Sequence, residues 1–349
     1  MVNSLNELAG NIHIHTRYSD GSGDIPTIAG AAEKAGLDFI IITDHHHLQG
    51  KAEEGYYGKV MVLVGSEINE ECNHYLALDI EQPVPGNDHH PQEVIDMVNN
   101  QGGFGFIAHG IEKGSLLYRN GKTYPWNDWR ATGFTGIDIW SYLSQWRDEI
   151  TGIPKGFFLY FNPHYAFKKG PMKPLLRKWD ELLRKRMVVG IGCSDAHAIK
   201  LKLGPWRPVL SDYYLCFRCI NTHLFVKEPL SGDFEKDKAQ IYQALKSGRC
   251  FVGYDFFRKT TGFNFVAKDQ GKTALMGEKI RLTEKTVLEV EVPEAAKIFL
   301  IKDGRKFRET MGKRSRFSWL GKGVYRVEAY LPHGRGHRAW IFSNPIFLE

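Results

Sequence analysis

The chain has 349 residues, of which 42% are hydrophobic, so it can bury a full core, and its length is typical of about two domains. Its net charge of +6 favours anionic partners but falls short of the strongly basic balance of a nucleic-acid-binding protein. No signal-peptide pattern and no run of about 18 apolar residues occurs, and five cysteines argue against a disulfide framework, so we expect a cytoplasmic protein without a membrane span.

The first motif is NIHIHTRYSDGSG, residues 11–23, in which His13 and His15 alternate along a predicted buried strand. Successive side chains of a strand point to opposite faces, so the two histidines would share one face and Ile12 and Ile14 the other. Two imidazoles on one face suit chelation of zinc, iron or manganese. Taken alone, the motif fits a pair of half-buried core histidines better.

Apolar runs of strand length then alternate with helical patterns up to about residue 255. The first predicted helix has Pro26 near its start and Gly36 at its end. The predicted strands lie within residues 39–50, 61–67, 74–80, 103–110, 134–140 and 187–195, and further helices lie within residues 91–102 and 171–186. Near-continuous apolar strands are typical of a parallel sheet, in a barrel or an open doubly wound fold. No GxGxxG follows the first strand, so we predict a barrel.

The pattern changes after residue 255. From about Thr286 the chain contains short alternating strands, and Asp303 and Gly304 form a two-residue hairpin signal between two of them. We therefore predict an α/β barrel over residues 1–265, followed by a small antiparallel β-sandwich over residues 266–349.

Potential metal ligands recur at the ends of the predicted barrel strands, where barrels of this kind collect their chemistry. They are His13, His15, Asp20, Asp44, His45, Glu67, His74, His109, Asp195 and His197. Independent core histidines would not fall repeatedly at strand ends, and burying so many ionisable groups is costly unless they are compensated. A metal cluster would compensate them.

Together the motifs HxHxxYSDG, ITDH, GSE with a following histidine, AHG and SDAH resemble the PHP (polymerase and histidinol phosphatase) superfamily of metal-dependent phosphoesterases. The resemblance spans about residues 11–255 and implies a distorted (β/α)7 barrel with two or three divalent metal ions, zinc, manganese or iron, at its mouth. Residues 244–256 and the C-terminal SNPIFLE resemble the branch with an added β-domain. That branch includes phosphoesterases and some amide or carbamate hydrolases.

The resemblance also implies a ligand set for each ion: His13, His15, Glu67 and Asp195 for the first; Glu67, His74 and His109 for the second; Asp20, His45 and His197 for the third. Glu67 would bridge the first two ions. Many three-metal members have a histidine where this chain has Asp20, and some relatives with aspartate there bind only two metals. Two ions therefore remain an alternative to three.

Two metals lower the pKa of a shared water, so we predict that a metal-bridging hydroxide attacks phosphorus in line. The catalytic candidates are His45, His197 and Asp20, and a metal-free His45 or His197 would protonate the leaving oxygen. The predicted substrate is a small anionic phosphorylated metabolite or nucleotide. A carbamate, ester or amide hydrolase with the same metal centre is the closest alternative, and a non-enzymatic, metal-stabilised binding protein is a third. The modest charge gives nucleic acid little support as a partner, and the sequence does not indicate an oligomeric state.

Several other residues have competing interpretations. Asp44 could orient an imidazole or cap a helix, and His164 could contact substrate, although a hydrogen-bonded core histidine explains it better. Cys216, Cys219 and His223 form a CxxCxxxH pattern that shows only half of a zinc site, so we interpret it as core. The loops at residues 84–92 and 111–134 are expected to decide substrate identity. Within the second, TYPWNDWR could bind substrate or cover the core edge.

Overall fold

The computed structural model describes residues 5–202, 204–205 and 207–349. In this part of the chain the α-helices are α1 Ile25–Ala35, α2 Pro91–Asn100, α3 Tyr142–Asp148, α4 Ile153–Phe161, α5 Lys173–Leu183, α6 Tyr213–Phe217 and α7 Phe234–Ser247. The strands of the first part are β1 Asn6–Ile12, β2 Phe39–Ile42, β3 Gly55–Tyr57, β4 Val60–Val64, β5 Ser66–Ile68, β6 Tyr75–Leu78, β7 Phe104–Ile107, β8 Gly136–Ser141, β9 Val189–Cys193, β10 Ile199–Lys200, β11 Val209–Leu210, β12 Ile220–Val226 and β13 Cys250–Tyr254.

The C-terminal strands are β14 Asn264–Asp269, β15 Lys272–Leu275, β16 Lys279–Ile280, β17 Val287–Lys302, β18 Arg305–Phe317, β19 Gly323–His333, β20 Gly336–Ser343 and β21 Ile346–Leu348. Short 3-10 turns occur at Gln49–Glu53, Arg119–Gly121 and Pro163–Tyr165. None of the helices in the described ranges is both long and apolar enough to cross a bilayer.

The first helix has the predicted ends. Asp24 precedes α1, and its side chain accepts a hydrogen bond from the Thr27 backbone N–H at 3.0 Å, which satisfies one of the free donors of the first turn. Gly36 follows the helix with φ +81°, a left-handed conformation that glycine adopts without strain. Proline and glycine thus mark this helix as the sequence predicted.

Within the described residues, strands β1 to β13 belong to three sheets, of which the pair of β10 and β11 is the smallest. Strands β1, β2 and β4 are parallel neighbours, and β5 to β9 form a separate five-stranded sheet. Two isolated parallel bridges, between His45 and Glu67 and between Ile14 and Ala196, add backbone pairing outside the regular strand ladders. The predicted strands in this region are all present and almost wholly buried, so the fold is the expected mixture of helices and buried sheet.

The sheet is mixed rather than all parallel, which corrects the prediction. Strand β6 runs antiparallel to both β5 and β7, and β1 runs antiparallel to β12. Only residues 69–74 connect β5 to β6. Since a parallel crossover needs a dozen or more residues, this short connection requires an antiparallel pair.

The C-terminal strands extend one of these sheets. Strand β20 pairs antiparallel with β13, so the sheet that contains β1 continues into the C-terminal part. The predicted hairpin is confirmed: Asp303 and Gly304 join β17 to β18 with φ values of +49° and +80°, as a two-residue turn of type I′ requires. The boundary between residues 265 and 266 stays a prediction.

A buried charged cluster joins β1 to β12 and to the segment after β13. His223 lies between two carboxylates, with Nδ1 2.7 Å from Glu7 Oε1 and Nε2 3.0 Å from Asp255 Oδ2. Burial opposes protonation, but Asp255 and Glu7 raise the pKa of His223 to about 9. Because both ring nitrogens face carboxylates, the imidazole is not available for a metal shared with the buried Cys216 and Cys219, in agreement with the core interpretation.

We expect this cluster to make stability depend on pH. The pKa of His223 is raised from 6.5 to about 9, which corresponds to on the order of 3 kcal/mol. The stabilisation is complete below pH 6.5 and is lost as the pH rises through about 9. Urea unfolding in chelator should show this loss for the native chain, and the loss should be smaller in His223→Gln, in which His15 and His109 still contribute. An equal pH dependence in the two proteins would contradict the assignment.

Candidate metal centre

The predicted ligands lie at or near six strands of the described residues. His13 and His15 follow β1, His45 follows β2, His109 follows β7, and Asp195 and His197 follow β9, whereas Glu67 lies within β5 and His74 directly precedes β6. Their side chains form three overlapping groups, each with ligand atoms within 4.8 Å of one another: His13, His15, Glu67 and Asp195; Glu67, His74 and His109; His15, Asp20, His45 and His197. The convergence expected from the motifs is therefore present.

The two histidines of the first motif meet through a turn and not through strand alternation. Strand β1 ends at Ile12, and His13 has φ +69°, an uncommon conformation for a non-glycine residue. Ile12 and Ile14 consequently pack into different hydrophobic clusters, and they do not share one face. His109 and Asp195 also have positive φ, of 28° and 53°. Backbone strain of this kind clusters at functional sites, because the surrounding structure must hold it in place.

The first group has the dimensions of a metal site. His13 Nε2 lies 2.9 Å from Glu67 Oε2 and 3.3 Å from Asp195 Oδ1. His15 Nε2 lies 3.2 Å from the same Glu67 oxygen and 3.3 Å from the same Asp195 oxygen. Ligand atoms around a tetrahedral ion with bonds of about 2.0–2.2 Å are themselves about 3.3–3.6 Å apart. His15 Nε2 is buried and makes a hydrogen bond to neither oxygen, as expected of a ligand atom directed at an ion.

The second group shares Glu67 with the first. Glu67 Oε1 lies 2.6 Å from His74 Nδ1 and 3.3 Å from His109 Nε2, while Oε2 faces the first group. One carboxylate thus presents one oxygen to each group. This is the arrangement that a ligand bridging two ions requires.

The third group is more open. Asp20 Oδ1 lies 3.1 Å from His197 Nε2, 3.5 Å from His15 Nδ1 and 3.8 Å from His45 Nε2. His197 Nδ1 is 2.9 Å from the backbone carbonyl oxygen of Asp195, so Nδ1 carries the proton that this contact needs. A neutral His197 would then face the Asp20 carboxylate with a lone pair. A cation or a proton between His197 Nε2 and Asp20 Oδ1 would remove the repulsion between the lone pair and the carboxylate.

Charges in the site are balanced between imidazoles and carboxylates. Burial alone would raise the pKa of Glu67 and of Asp195, but the surrounding histidines hold both pKa values well below their usual range. Likewise, His197 leads the groups that hold the pKa of Asp20 at about 2 against the opposing effect of burial. The acids are therefore ionised and present negative oxygens to any bound cation.

The histidines fall into two sets, according to whether burial or the neighbouring carboxylates dominate the pKa. Burial lowers the pKa of His13, and it lowers that of His45 to about 4. Burial also opposes the protonation of His15 and His109, but carboxylates dominate there: Asp195 and Glu67 raise the pKa of His15, and Glu112 and Glu67 raise that of His109 to about 9. The carboxylates attract protons to these imidazoles, and a divalent cation between them would supply the same positive charge. The residues present therefore fit bound divalent ions.

A hydrogen-bonded loop supports the first motif. Asp44 accepts hydrogen bonds from Thr16 N and Oγ1, both at 2.7 Å, and from Ser19 Oγ at 2.5 Å. It is therefore not a helix cap, which corrects that interpretation. It reaches an imidazole through Ser19, whose Oγ also lies 3.4 Å from His15 Nδ1. A Cβ at Gly21 would lie 2.1 Å from the His15 carbonyl oxygen, so only glycine allows the loop to close this tightly.

The residues that support His109 were not singled out from the sequence. Glu112 Oε1 lies 3.7 Å from His109 Nδ1 and 2.5 Å from Arg147 Nη2. Glu112 Oε2 accepts a hydrogen bond from the backbone of Tyr124, whose ring centroid is 5.0 Å from that of His74. Part of TYPWNDWR thus reaches the site, while Trp126 of the same segment is buried in the core. Trp126 agrees with the interpretation that the segment covers the core edge, and substrate binding by the segment stays a prediction.

A cavity of about 770 Å³ opens onto the centre. The predicted ligands that line it are Asp20, His45, Glu67, His74, His109, Asp195 and His197. His13 and His15 are buried behind them. Loop residues between 111 and 134 contribute to the lining, whereas described residues 84–92 do not. His164 is not part of the lining either; its ring stacks on Phe256.

The first part of the chain matches a family model. Residues 11–152 match the family model of the PHP domain, so the resemblance drawn from the motifs is confirmed over this segment. All predicted ligands except Asp195 and His197 lie within it. MJ1587, an uncharacterized protein of Methanocaldococcus jannaschii, is 29% identical over 117 residues, covering 29% of this chain and 67% of its own length.

Solved structures with low sequence identity are also similar. A two-domain protein of Bacteroides vulgatus, described as containing a predicted PHP-like metal-dependent phosphoesterase, is 15% identical with a TM-score of 0.46 over 98% of this chain and 95% of its own. An amidohydrolase of Chromobacterium violaceum, with bound sulfate and no metal, is 14% identical with a TM-score of 0.31 over 54% of this chain and 87% of its own.

Proposed function

We propose that this protein is a metal-dependent hydrolase of phosphate esters. The observation that supports this most strongly is the Glu67 carboxylate, with one oxygen within 3.3 Å of His13 and His15 and the other within 3.3 Å of His74 and His109. Divalent ions held by these groups would neutralise phosphoryl oxygens and lower the pKa of water. Zinc, manganese and iron all suit imidazole and carboxylate ligands.

The residues of the chain would have distinct tasks in this reaction. His13, His15 and Asp195 would hold one ion, His74 and His109 a second, and Glu67 both. By holding the ions in fixed positions, these side chains would orient a bound phosphoryl group for attack. The buried Glu112 would keep His109 in place through its Nδ1 side.

The leaving oxygen needs a proton, and we assign its delivery to His197 before His45, because burial lowers the pKa of His45 to about 4 and leaves that ring neutral near pH 7. His197 Nε2 lies at the cavity surface next to the Asp20 carboxylate, and Asp195 fixes the opposite side of the ring. A third ion bound by Asp20, His45 and His197 is the competing arrangement, because an imidazole that ligates an ion cannot donate this proton.

We also propose the finer description of the fold: a distorted (β/α)7 barrel over residues 1–265 and a β-sandwich over residues 266–349. The bridges between His45 and Glu67 and between Ile14 and Ala196 support a ring of strands. A separate hydrophobic cluster that includes Leu288, Val327 and Trp340 supports a C-terminal unit.

The test compares the hydrolysis of different esters by protein from which a chelator has removed the metal and which is then reloaded with manganese, zinc or iron. We expect release of phosphate from a chromogenic phosphate monoester or diester only in the reloaded protein. Carboxyl and carbamate esters carrying the same chromophore should react at least about a hundredfold more slowly, since metal-held oxyanion stabilisation is directed at phosphoryl oxygens. Hydrolysis of the carbonyl esters alone, or no product at full metal occupancy, would contradict the proposal.

A further inference from the structure

The cavity beside the candidate metal centre has two chemically different halves. One half consists of the ligand groups and the charged residues around them. The other half is formed by helices α3 and α4, the segment between them and the short hairpin of β10 and β11. Its apolar lining includes Leu143, Trp146, Ile150, Phe157, Ile199 and Leu210. The backbone N–H of Leu143 bonds to the carbonyl of Ser194, next to ligand Asp195, so this apolar wall begins directly at the centre.

Most polar groups that border the apolar half already have partners, with the exception of Arg147 Nε, which makes no hydrogen bond. Arg147 faces Glu112 at 2.5 Å, and its guanidinium lies over the rings of Tyr118 and Tyr124. The hydroxyl of Ser115 donates to the Ile150 carbonyl oxygen at 2.7 Å. A sugar or a nucleobase placed here would lose several hydrogen bonds to water and find few free partners, which is unfavourable. An apolar group has no hydrogen bonds to water that it could lose.

A glycine keeps the apolar half open. Gly156 lies inside helix α4, where glycine destabilises a helix by up to about 1 kcal/mol relative to alanine. It lines the cavity, and the nearest atom to a Cβ built on it is Ile150 Cγ2 at 3.5 Å, which is ordinary contact. The fold therefore does not require glycine here for close packing. A longer side chain at this position would project into the space beside Ile150.

The mouth of the same half exposes large apolar side chains. Leu117, Ile153 and Phe157 line the cavity and are 53%, 63% and 52% exposed. Grouped exposure of this kind is typical of a ligand-binding groove. These side chains would lose contact with water if an apolar group occupied the cavity.

We infer that the substrate is an ester whose organic group is an alkyl or aryl chain, and that this chain lies against α3 and α4. The inference rests on the proposed function and names its substrate class. In the reaction the oxygen of water forms a bond to phosphorus and the bond from phosphorus to the alkyl oxygen breaks. That oxygen takes the proton that the attacking water gives up and leaves as an alcohol or a phenol, and a monoester leaves inorganic phosphate.

The test measures kcat/KM for ethyl, butyl and octyl phosphate with manganese-loaded protein. Each methylene moved from water into the cavity favours binding by roughly fourfold, so we expect at least about a hundredfold rise from ethyl to octyl. A series without this rise would overturn the inference and leave the proposed function intact.

A variant locates the effect in the apolar half. Gly156→Leu adds a good helix former that fills the space beside Ile150, and we expect the octyl-to-ethyl ratio to fall at least about tenfold. Phe161→Ala is the matched control, because Phe161 is on the same helix and does not line the cavity, and its ratio should equal that of the native chain. A ratio unchanged in Gly156→Leu would contradict the assignment.

Direct binding separates this inference from the proposed function. If no phosphate ester reacts, the proposed function fails. Titration of the metal-loaded native protein and Gly156→Leu with ethyl- and octylphosphonate then decides the inference alone. Tighter binding of the octyl compound, lost in the variant, supports an apolar subsite, and equal binding of the two compounds overturns it.

Discussion

Replacing Glu67 by glutamine is expected to abolish turnover and remove most of the bound metal. Glu67 has one oxygen in each of the first two ligand groups, and its pKa is held well below its usual range by His13, His74 and His45 despite burial. Glutamine has nearly the same shape but lacks the negative charge. Loss of an outer partner alone typically costs about 10–100-fold in metal affinity or activity, so we expect more than a hundredfold loss here.

The measurement combines metal content per chain with kcat for a phosphate ester. Glu71→Gln is the matched control, because Glu71 is exposed, pairs with Lys122 and does not line the cavity. It should retain metal and activity. If Glu67→Gln keeps full metal content and turnover, Glu67 is not the shared ligand.

Replacing His197 by glutamine is expected to slow turnover according to the leaving group. A general acid contributes about 10²–10⁴-fold, and this loss should appear with an alkyl phosphate, whose leaving oxygen needs a proton. With a nitrophenyl phosphate, whose leaving group is stable as an anion, we expect less than about a tenfold loss. The same comparison on His45→Gln decides which of the two histidines delivers the proton.

His47→Gln serves as the control for this experiment, because His47 contacts the Tyr18 carbonyl oxygen and does not line the cavity. Metal content tests the competing arrangement, in which Asp20, His45 and His197 bind a third ion. Loss of one metal equivalent from both His45→Gln and His197→Gln, with equal losses for the two leaving groups, would mean that these histidines ligate a third ion.

The local features of the fold were predictable because several sequence signals agree. Helix α1 has a capping aspartate, an early proline and a glycine at its end, and the β17–β18 hairpin has Asp303 and Gly304 at its turn. The direction of β6 was not predictable from its apolar pattern, since buried parallel and antiparallel strands look alike in composition. Only the short connection after β5 carried that information.

The convergence of the candidate ligands was predictable from the motifs, but their local geometry was not. Strand alternation accounts for neither the turn at His13 nor the separation of Ile12 from Ile14, because a positive φ in a non-glycine residue leaves no pattern in the sequence. Asp44 acts on Thr16 and Ser19, which are distant in sequence. Long-range hydrogen bonds of this kind follow from the fold.

The apolar half of the cavity could not be predicted. Its walls come from α3, α4 and the β10–β11 hairpin, which are separated in sequence and contain no motif. The segment FFLYF of α4 has the composition of a core helix, although Phe157 and Phe161 are exposed. Packing alone distinguishes a core face from a cavity wall.

Anomalous diffraction from crystals of manganese- or zinc-loaded protein would test the role of Glu67 most directly. We predict two anomalous peaks on either side of the Glu67 carboxylate, one contacted by His13, His15 and Asp195 and the other by His74 and His109. Peaks located elsewhere, or a single peak that leaves one Glu67 oxygen without an ion, would contradict a shared two-metal centre.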